Sequence, residues 1–426
     1  MLSLLLFFAL VNRYNNLVQK LLKISQQTFW QVIVKIITSG SGFIIIGMIS
    51  RTYGEAGVGN FTLALTYLTF FYTLSDFGFN AHVLKRLQGS GDSFQLEWRK
   101  LLGVRILWAV FLVILASLLI FIFPSSFSSD FRITVWLGSL IVILFAINVT
   151  TQALFQSKHR YDLDILPTIA GVVFGTAVIY LVSSNHLPVY LGVLGYLLAW
   201  FVHASGALLQ AKKFIKNLVP LFNLTYTKTL FISTWPIAGT LFFDLVYFKV
   251  DSFILSYHYS ASVVGVYNLA YQIFQSLLVL PTFAMNAFYP MMLQTLKEKS
   301  HKFRLQIKLA ALGLFLMSIL IGVTTYLLAP WGVSIISGNG FEGSVKSLQI
   351  LSFGFPAFFL SSLLMWIMVA KGMYKRMLGV YIIGLSFNLI ANLMFIPQGS
   401  FIASSWITGI SEYLILFLQI VVLLLT

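Results

Sequence analysis

Apolar runs of about twenty residues recur along the entire chain, separated by short clusters of charged or turn-forming residues. A helix of about 20 apolar residues is just long enough to cross the hydrocarbon core of a bilayer. Only 9% of the 426 residues are charged and 59% are hydrophobic, whereas roughly 25% are charged in an ordinary soluble domain. The sequence therefore predicts an all-α polytopic membrane protein and excludes a water-soluble fold.

Twelve transmembrane helices fit this pattern. Two charge-free stretches, 165–211 and 377–411, are too long for one helix each, and turn-forming clusters at 183–188 and 397–400 divide them. The predicted spans are residues 28–50, 59–84, 101–123, 133–156, 165–184, 189–210, 230–256, 265–292, 309–329, 347–370, 378–396 and 402–425.

The basic residues alternate between dense and sparse loops. When successive loops are assigned to opposite sides, 22 of the 27 Lys and Arg residues, including Arg105, lie on one side. Three, Arg51, Arg132 and Lys346, lie on the other. The positive-inside rule places the dense side and both termini in the cytoplasm. Topology thus accounts for most of the net charge of +15, and no nucleic-acid partner is predicted.

The sequence lacks the usual catalytic and metal-binding patterns. It contains no Cys, which excludes a thiolate nucleophile, and its six His residues show no HExxH or other paired spacing. His82 and His203 have no evident partner and receive no role. The longest loop on the sparse side is about 330–346, and a membrane enzyme that works on an outer substrate would usually need a larger one, which leaves a membrane polysaccharide polymerase as the weaker alternative. We therefore predict neither an enzyme nor a metal site nor a cofactor.

The chain repeats itself at an offset of 206 residues. Residues 50–87 align with 256–293 without a gap, and 11 of the 38 aligned positions are identical. Leu and Phe matches are common in such a composition, so the informative pairs are those of other residue types. These are Tyr53/Tyr259, Gly59/Gly265, Asn80/Asn286 and Ala81/Ala287.

Six spans separate the two copies of this repeat. Because six is even, both copies insert in the same orientation and are related by an axis along the membrane normal. The sequence predicts a cytoplasmic lead-in at 1–27, a six-helix half at 28–210, a cytoplasmic linker at 211–229 and a second six-helix half at 230–426. Two parallel halves enclose a central cavity, which is an architecture of secondary transporters.

Several segments resemble the pattern of one family. They are residues 50–61 (SRTYGEAGVGNF), 74–79 (LSDFGF), 264–270 (VGVYNLA), 289–290 (YP), 388–392 (NLIAN), 396–397 (IP), Gly399 and 411–412 (SE). In order and spacing they are similar to bacterial polysaccharide repeat-unit flippases of the O-antigen type. That family is the polysaccharide transporter branch of the multidrug/oligosaccharidyl-lipid/polysaccharide exporter (MOP) superfamily. One departure is Ser400, at a turn where the family more often has a second Gly.

This resemblance implies a function. It implies a flippase in the bacterial inner membrane that moves an undecaprenyl-diphosphate-linked oligosaccharide by alternating access. The implied partners are that lipid-linked oligosaccharide, membrane lipids and a coupling ion, H⁺ or Na⁺. A multidrug or cation antiporter of the same superfamily is the main alternative, although such a cavity should be acidic and this one also contains lysines.

Apart from Arg105, which is counted above with the loop cations, six charged residues lie inside the predicted spans. Each would be unfavourable by about 2.5–3.5 kcal/mol if it faced lipid at the bilayer centre. We therefore expect them to face a wet cavity or one another. They are Lys35, Asp76, Asp244, Lys249, Asp251 and Glu412.

The predicted substrate-binding residues are cations and amides. Lys35 and Lys249 would attract the diphosphate as point charges, and Arg51 is a further cation at the outer end of the first span. Asn388 and Asn392 are four residues apart and therefore share one helix face. The alternatives are that Lys35 extends to the cytoplasmic surface and that Lys249 pairs with a neighbouring helix.

The predicted ion-coupling residues are carboxylates. Glu412 lies about ten residues into the last span, near the bilayer midplane. Asp244 and Asp251 are seven residues apart and share a face of the seventh span, and Asp76 lies in the second span. For each, the alternative is a structural hydrogen bond between helices.

Overall fold

The computed structural model describes residues 2–87, 92–121, 128–297 and 301–425, and this part of the chain is helical without any strand. The predicted all-α membrane fold is confirmed. The helices are α1 (Leu2–Asp76), α2 (Phe79–Leu87), α3 (Asp92–Leu119), α4 (Ser129–Gly138), α5 (Ile141–Ser157), α6 (Asp162–Ser184), α7 (Val193–Ala211), α8 (Leu224–His258), α9 (Ala261–Leu277), α10 (Val279–Lys297), α11 (His301–Ser337), α12 (Glu342–Ser352), α13 (Phe355–Ala370) and α14 (Tyr374–Leu424). A 3₁₀ turn, Val189–Gly192, precedes α7.

Within the described residues, nine helical segments are long and apolar enough to cross a membrane, or ten if the pair α12 and α13, bent by 46°, is one span. Two of these segments are too long for one crossing. Ile33–Asp76 and Tyr374–Leu424 have 44 and 51 residues, or roughly 66 and 77 Å at 1.5 Å per residue, about twice the hydrocarbon thickness. Each contains a non-helical residue and therefore holds two spans. Counting each of them twice raises the ten segments to the twelve spans that the sequence predicts.

The breaks in the two longest helices have positive φ. Gly54 in α1 has φ 62° and Ser400 in α14 has φ 54°. Glycine adopts such a conformation at little cost because it lacks Cβ, whereas a serine there is disfavoured by roughly 1–2 kcal/mol. The predicted turn at 397–400 lies at this second break. Its conformation gives a physical reason why a Gly suits position 400.

Because successive spans cross in opposite directions, the loops between them lie alternately at the two ends of the bundle. We call the end with the loops around Lys158, Lys212 and Lys371 the basic end, and the end with Gly54, His186, Gly340 and Ser400 the opposite end. The linker between α7 and α8 lies at the basic end and packs along α3. The Arg99 side chain donates to the Val219 carbonyl at 2.7 Å, and a Cβ on Gly103 would lie only 2.2 Å from the Leu221 carbonyl oxygen.

The repeat is visible as a close contact between α1 and α9 at the opposite end. A Cβ added to Gly59 would lie 1.8 Å from the Ala261 carbonyl oxygen. A Cβ added to Gly265 would lie 2.0 Å from the Glu55 carbonyl oxygen. Gly265 is the counterpart of Gly59 at an offset of 206, and Ala261 is the counterpart of Glu55. The two contacts are thus one contact repeated by internal two-fold symmetry.

A hydrogen bond continues this contact one turn deeper. Asn268 Nδ2 donates to Thr62 Oγ1 at 2.9 Å, and these residues are also separated by 206 positions. A residue that touches its own counterpart lies next to the symmetry axis, so the axis passes between α1 and α9. We call this set the axis contact: Glu55, Gly59 and Thr62 of α1 with Ala261, Gly265 and Asn268 of α9.

The matched tyrosines also occupy equivalent places. Tyr53 donates to the Leu187 carbonyl in the turn after α6, and Tyr259 donates to the Pro397 carbonyl in the turn within α14. Each tyrosine therefore fixes the turn that joins the last two spans of its own half. The domain boundaries given above stay a prediction. The predicted lead-in at 1–27 is helical from Leu2 and is continuous with the first span.

Candidate functional site

Lys35 lines a pocket of about 450 Å³ in the first half. Its side chain is exposed, and the walls of the pocket include Asn80, Gln152 and Asp164. Helix α1 contributes Lys35 and, one turn later, Thr38, while α5 contributes Gln152 and α6 contributes Asp164. The first half thus presents one ammonium group to a space lined by amides and a carboxylate.

A second cavity continues from this pocket into the first half. Its volume is about 330 Å³, and Thr38, Gln152 and Asp164 line both spaces. We call it the inner chamber. Helices α1, α5, α6 and α7 form its walls, with Trp200 and His203 on α7.

A hydrogen-bonded cluster forms one side of the inner chamber. His203 Nε2 lies 2.9 Å from Asp164 Oδ1 and 3.1 Å from Thr168 Oγ1, and Gln152 Nε2 donates to Asp164 Oδ2 at 3.0 Å. The expectation that His203 has no partner is therefore wrong. The expectation failed because the partner, Asp164, is 39 residues away on another helix. Asp164 also lies one residue before the predicted fifth span, 165–184, and so was not considered among the residues inside the membrane. The side chain of His82 lies outside the described part.

Small residues let α6 and α7 approach closely enough to form this cluster. A Cβ on Gly175 would lie 2.5 Å from the Gly195 carbonyl oxygen, and one on Gly171 would lie 2.4 Å from the Ala199 carbonyl oxygen. Spacings of four between small residues on both helices are typical of close helix pairs in membranes. This pattern is present in the sequence and could have paired α6 with α7, bringing Asp164 near His203.

Glu412 lies in the interior of the second half. It is 6% exposed and accepts hydrogen bonds from the Tyr247 hydroxyl, at 2.8 Å, and from the Ser361 hydroxyl. These partners belong to α8 and α13, so the carboxylate of α14 joins three helices. Asp244 lies on α8, three residues before Tyr247, and is exposed.

Asp251 is buried in the same half, with 4% of its surface exposed. It accepts hydrogen bonds from the Tyr267 hydroxyl and from the Ser252 backbone N–H. The Tyr267 oxygen also lies 3.3 Å from Thr408 Oγ1 of α14. Asp251 is thus connected through Tyr267 to α14, the helix that carries Glu412.

Lys249, on α8, contacts α9 of the same half and does not line the pocket of Lys35. Its Nζ is 3.4 Å from Gln275 Oε1 and 5.5 Å from the centroid of the Tyr271 ring. Both partners are on α9, and Gln272 of the same helix lies against Gly42 of α1. A ring face attracts a cation by about 0.5–1 kcal/mol or more, so Tyr271 stabilises the ammonium without neutralising it.

Arg51 does not line the Lys35 pocket. Its guanidinium donates to the Ile335 carbonyl of α11, which connects the two halves at the opposite end. Asn388 and Asn392 are buried within the second half, at 3% and 0% exposure. Asn388 Nδ2 donates to Ser411 Oγ at 3.1 Å, and this bond ties together the two segments of α14.

Asp76 forms an ion pair with Arg105. The nitrogen–oxygen distance is 2.6 Å, and the Arg105 side chain is fully buried while that of Asp76 is 27% exposed. Arg105 also donates to Asn80 Oδ1 at 2.9 Å. Counting Arg105 among the loop cations was therefore wrong, because it lies inside the bundle and neutralises a carboxylate there.

Comparisons with known proteins agree with this architecture. Residues 24–296 match the family model described as "Polysaccharide biosynthesis protein", and residues 236–394 match the model MatE. No curated protein matches the chain by sequence. The chain is similar to a solved structure titled "Lipid II flippase MurJ, inward closed conformation", with 14% identity and a TM-score of 0.76, covering 92% of this chain and 87% of that one.

Two conformations of a multidrug resistance MATE family transporter of the MOP superfamily are also similar. The inward-facing one has 11% identity and a TM-score of 0.72, covering 92% of this chain and 93% of that one. The outward-facing one has 13% identity and a TM-score of 0.51, covering 92% and 97%. At these identities the likeness shows the fold alone.

Proposed function

Since the chain belongs to the polysaccharide biosynthesis protein family and has the fold of a MOP-superfamily transporter, we propose that it flips a lipid-linked oligosaccharide across the bacterial inner membrane. The substrate would be a glycan joined through a diphosphate to a polyprenyl chain. The glycan would cross inside the protein while the prenyl chain stays among the membrane lipids.

The observation that carries this proposal is the pocket of Lys35. A diphosphate is multiply anionic, and a charge in a cavity with low-dielectric walls interacts far more strongly than in water. The pocket holds an exposed ammonium among amides, which suits an anionic headgroup followed by polar sugar. Lys249, on α8 outside this pocket, would supply a second cation for the headgroup.

We propose that the basic end is cytoplasmic. Its loops hold most of the Lys and Arg residues, as the positive-inside rule requires. Reporter domains fused after Lys216 and after Lys371 should then report a cytoplasmic location, and one fused after Asn339 an extracytoplasmic location. The reversed pattern at these sites would contradict the orientation.

Alternating access then follows from the contacts at the opposite end. The axis contact and the Arg51–Ile335 bond close that end, so the substrate would load from the basic end. Rocking of the halves would break both contacts and release Arg51, which could then meet the diphosphate on the outer side. In this proposal Asn388 and Asn392 support the substrate site by holding α14 together.

The substrate proposal predicts that two lysines are required. Lys35→Gln and Lys249→Gln each remove an interaction with a charged group, worth about 1.5–3 kcal/mol, so each should reduce flipping by roughly tenfold or more. Complementation of a flippase-deficient strain, with surface polysaccharide as the readout and membrane protein level as a check, measures this loss. Lys371→Gln, at an exposed loop position outside both cavities, is the matched control and should stay active.

Full activity in the Lys35→Gln, Lys249→Gln double variant would remove the anion-binding mechanism. The multidrug or cation antiporter would then be the better proposal. The MatE match over 236–394 and the exposed carboxylate of Asp244 favour that candidate. The structural relatives are transporters and flippases by title, and we propose that this chain is likewise not an enzyme.

We further propose that a proton or Na⁺ drives the cycle through the carboxylates of the second half. Glu412 is the central residue because its partners lie on two other helices, and Asp244 and Asp251 would assist it. Glu412→Gln mimics the protonated carboxyl permanently, so transport should lose its dependence on pH or Na⁺ while substrate binding stays intact. Transport into proteoliposomes across a range of pH and Na⁺ tests this.

Asp130→Asn, which neutralises a carboxylate at the opposite end outside the spans, is the control for this measurement. It should transport with unchanged ion dependence. If Glu412→Gln also retains the ion dependence of the unaltered protein, Glu412 is a structural hydrogen-bonding group and the coupling proposal for it fails.

A further inference from the structure

The inner chamber has the size and position of a second binding site. Its volume of about 330 Å³ falls in the range of ligand pockets, about 300–1,000 Å³. It shares Thr38, Gln152 and Asp164 with the pocket of Lys35. A ligand with its anionic group at Lys35 would therefore have its next chemical unit at the entrance of the chamber.

The chamber walls combine aromatic and polar groups. Trp200 and Tyr196 contribute ring surface, and Trp200 stacks against His203 with 5.9 Å between ring centroids. Asp164, Gln152 and His203 contribute a carboxylate, an amide and an imidazole. Each carboxylate oxygen of Asp164 has one partner in the protein and can accept a second hydrogen bond.

One polar group in this wall has no partner in the protein. The Thr176 hydroxyl is buried, and none of the described residues offers it a hydrogen bond. Most threonines on the helices of this chain bond to a carbonyl of the preceding turn, as Thr168 does to Asp164. A buried polar group without a partner is unfavourable by about 1–3 kcal/mol. Rotation about χ1 would turn this hydroxyl from the packed wall into the chamber that Thr176 lines, where a ligand with a hydroxyl or amide would satisfy it.

We propose that the inner chamber binds the sugar that is attached directly to the diphosphate. A pyranose ring has apolar C–H faces, which pack on aromatic rings, and hydroxyl groups that both donate and accept. The ring surface of Trp200, the acceptors of Asp164 and the unpartnered hydroxyl of Thr176 match those features in turn. This inference rests on the proposed function, since it assigns the place of one part of that substrate.

The site would recognise a neutral sugar and not a second charge. The acidic member of the cluster, Asp164, is hydrogen-bonded to Gln152 and His203. Its carboxylate repels an anion, but it can accept hydrogen bonds from hydroxyl groups. The cation that compensates the diphosphate is Lys35, in the adjoining pocket. The Lys35 pocket would therefore bind the charged diphosphate, and the inner chamber would bind the sugar through its hydroxyl groups.

The experiment measures the affinity of the full-length protein in nanodiscs for two kinds of lipid. One is farnesyl diphosphate without sugar, and the other is farnesyl diphosphate carrying a single glucose, galactose or N-acetylglucosamine. The unaltered protein should bind at least one sugar-bearing lipid more tightly than farnesyl diphosphate. Thr176→Val should lower that affinity about two- to tenfold, and Asp164→Asn at least about tenfold. Thr176→Val should leave the affinity for farnesyl diphosphate unchanged, whereas Asp164→Asn, which removes a carboxylate from the wall of the Lys35 pocket, should leave that affinity no lower.

Thr176→Val is the sharper variant because its hydroxyl makes no bond in the free protein, so folding should not suffer. Thr324→Val, at an exposed position of α11 where the hydroxyl bonds to its own helix, is the matched control and should leave both affinities unchanged. Equal affinity of the unaltered protein for lipids with and without sugar would overturn the inference. So would Thr176→Val and Asp164→Asn proteins that bind both kinds as the unaltered protein does.

Two further outcomes separate this inference from the proposed function. If Lys35→Gln weakens both kinds of lipid while Thr176→Val and Asp164→Asn weaken neither, the flippase proposal stands and the sugar site falls. If Lys35→Gln leaves the affinity for farnesyl diphosphate unchanged, the diphosphate mechanism itself fails. If Asp164→Asn changes only the pH dependence of transport, the cluster with His203 is a proton site, and the sugar assignment is overturned.

Discussion

Replacing Gly265 with valine should force the two halves apart at the opposite end and reduce flipping roughly fivefold to a hundredfold. A Cβ there would lie 2.0 Å from the Glu55 carbonyl oxygen, which belongs to a helix backbone and cannot rotate away. Overpacking of this kind destabilises an interface by about 1–3 kcal/mol, and about 1.4 kcal/mol changes a population tenfold. Gly59→Val should have the same effect, because the contact is repeated by symmetry.

Cysteines at Ala56 and Ser262, which are counterparts beside the axis contact, report the separation. The chain contains no native Cys, so a short thiol crosslinker reacts only at these sites. Crosslinking should be efficient with glycine at 265 and weak with valine. Gly313→Val is the control, since a Cβ there meets nothing within 4 Å. Normal transport and normal crosslinking in the Gly265→Val protein would show that this contact does not close the opposite end.

Removing the Asp76 carboxylate should destabilise the first half by about 3–5 kcal/mol. Asp76→Ala leaves the fully buried guanidinium of Arg105 without its counter-charge, and an uncompensated buried charge costs about that much. Replacing both partners, as Asp76→Leu with Arg105→Met, should recover most of the loss, because apolar side chains of similar volume often substitute well for a buried ion pair. Thermal unfolding in detergent, monitored by size-exclusion chromatography, measures each effect.

The Arg160–Asp162 pair provides a matched comparison. Its side chains are 42% and 32% exposed, and exposed pairs contribute about 0–1 kcal/mol, so Asp162→Ala should change stability little. Transport by the stable double variant also tests the coupling role predicted for Asp76. If that variant flips substrate with unchanged ion dependence, Asp76 is a structural partner of Arg105. An Asp76→Ala protein as stable as the unaltered one would contradict the buried-pair argument.

The sequence predicted those features of the fold that depend on local composition or on exact repetition. Span length and the absence of charge located the membrane helices, because lipid imposes both requirements on each helix separately. The offset of 206 indicated two parallel halves, and Gly59 and Gly265, two of its identical residues, do meet at the axis. Neither argument required knowledge of which helices are neighbours.

The candidate site was predicted less completely, because its partners depend on which helices pack together. Asp164 and His203 face each other across α6 and α7, and the only sequence signal that pairs these helices is the four-residue spacing of their small residues, which does not name the polar partners. Arg105 was read as a loop cation because it lies near the end of a span, whereas Asp76 on another element keeps it inside. Asn388 and Asn392 do share a face, as their spacing predicts. The sequence did not indicate that the second segment of α14, which contains Ser411, packs on that face.

The axis contact has a further consequence when it is described in the terms used for oligomers. Where two residues meet in it, their counterparts meet as well, so it is an isologous interface, of the kind that joins two identical subunits. Here both surfaces belong to one chain, and the linker between α7 and α8 keeps them at a high effective concentration. A dimer of separate halves would need a strong interface to remain assembled. In a single chain the interface can be weak enough to open in every transport cycle, because the halves cannot diffuse apart.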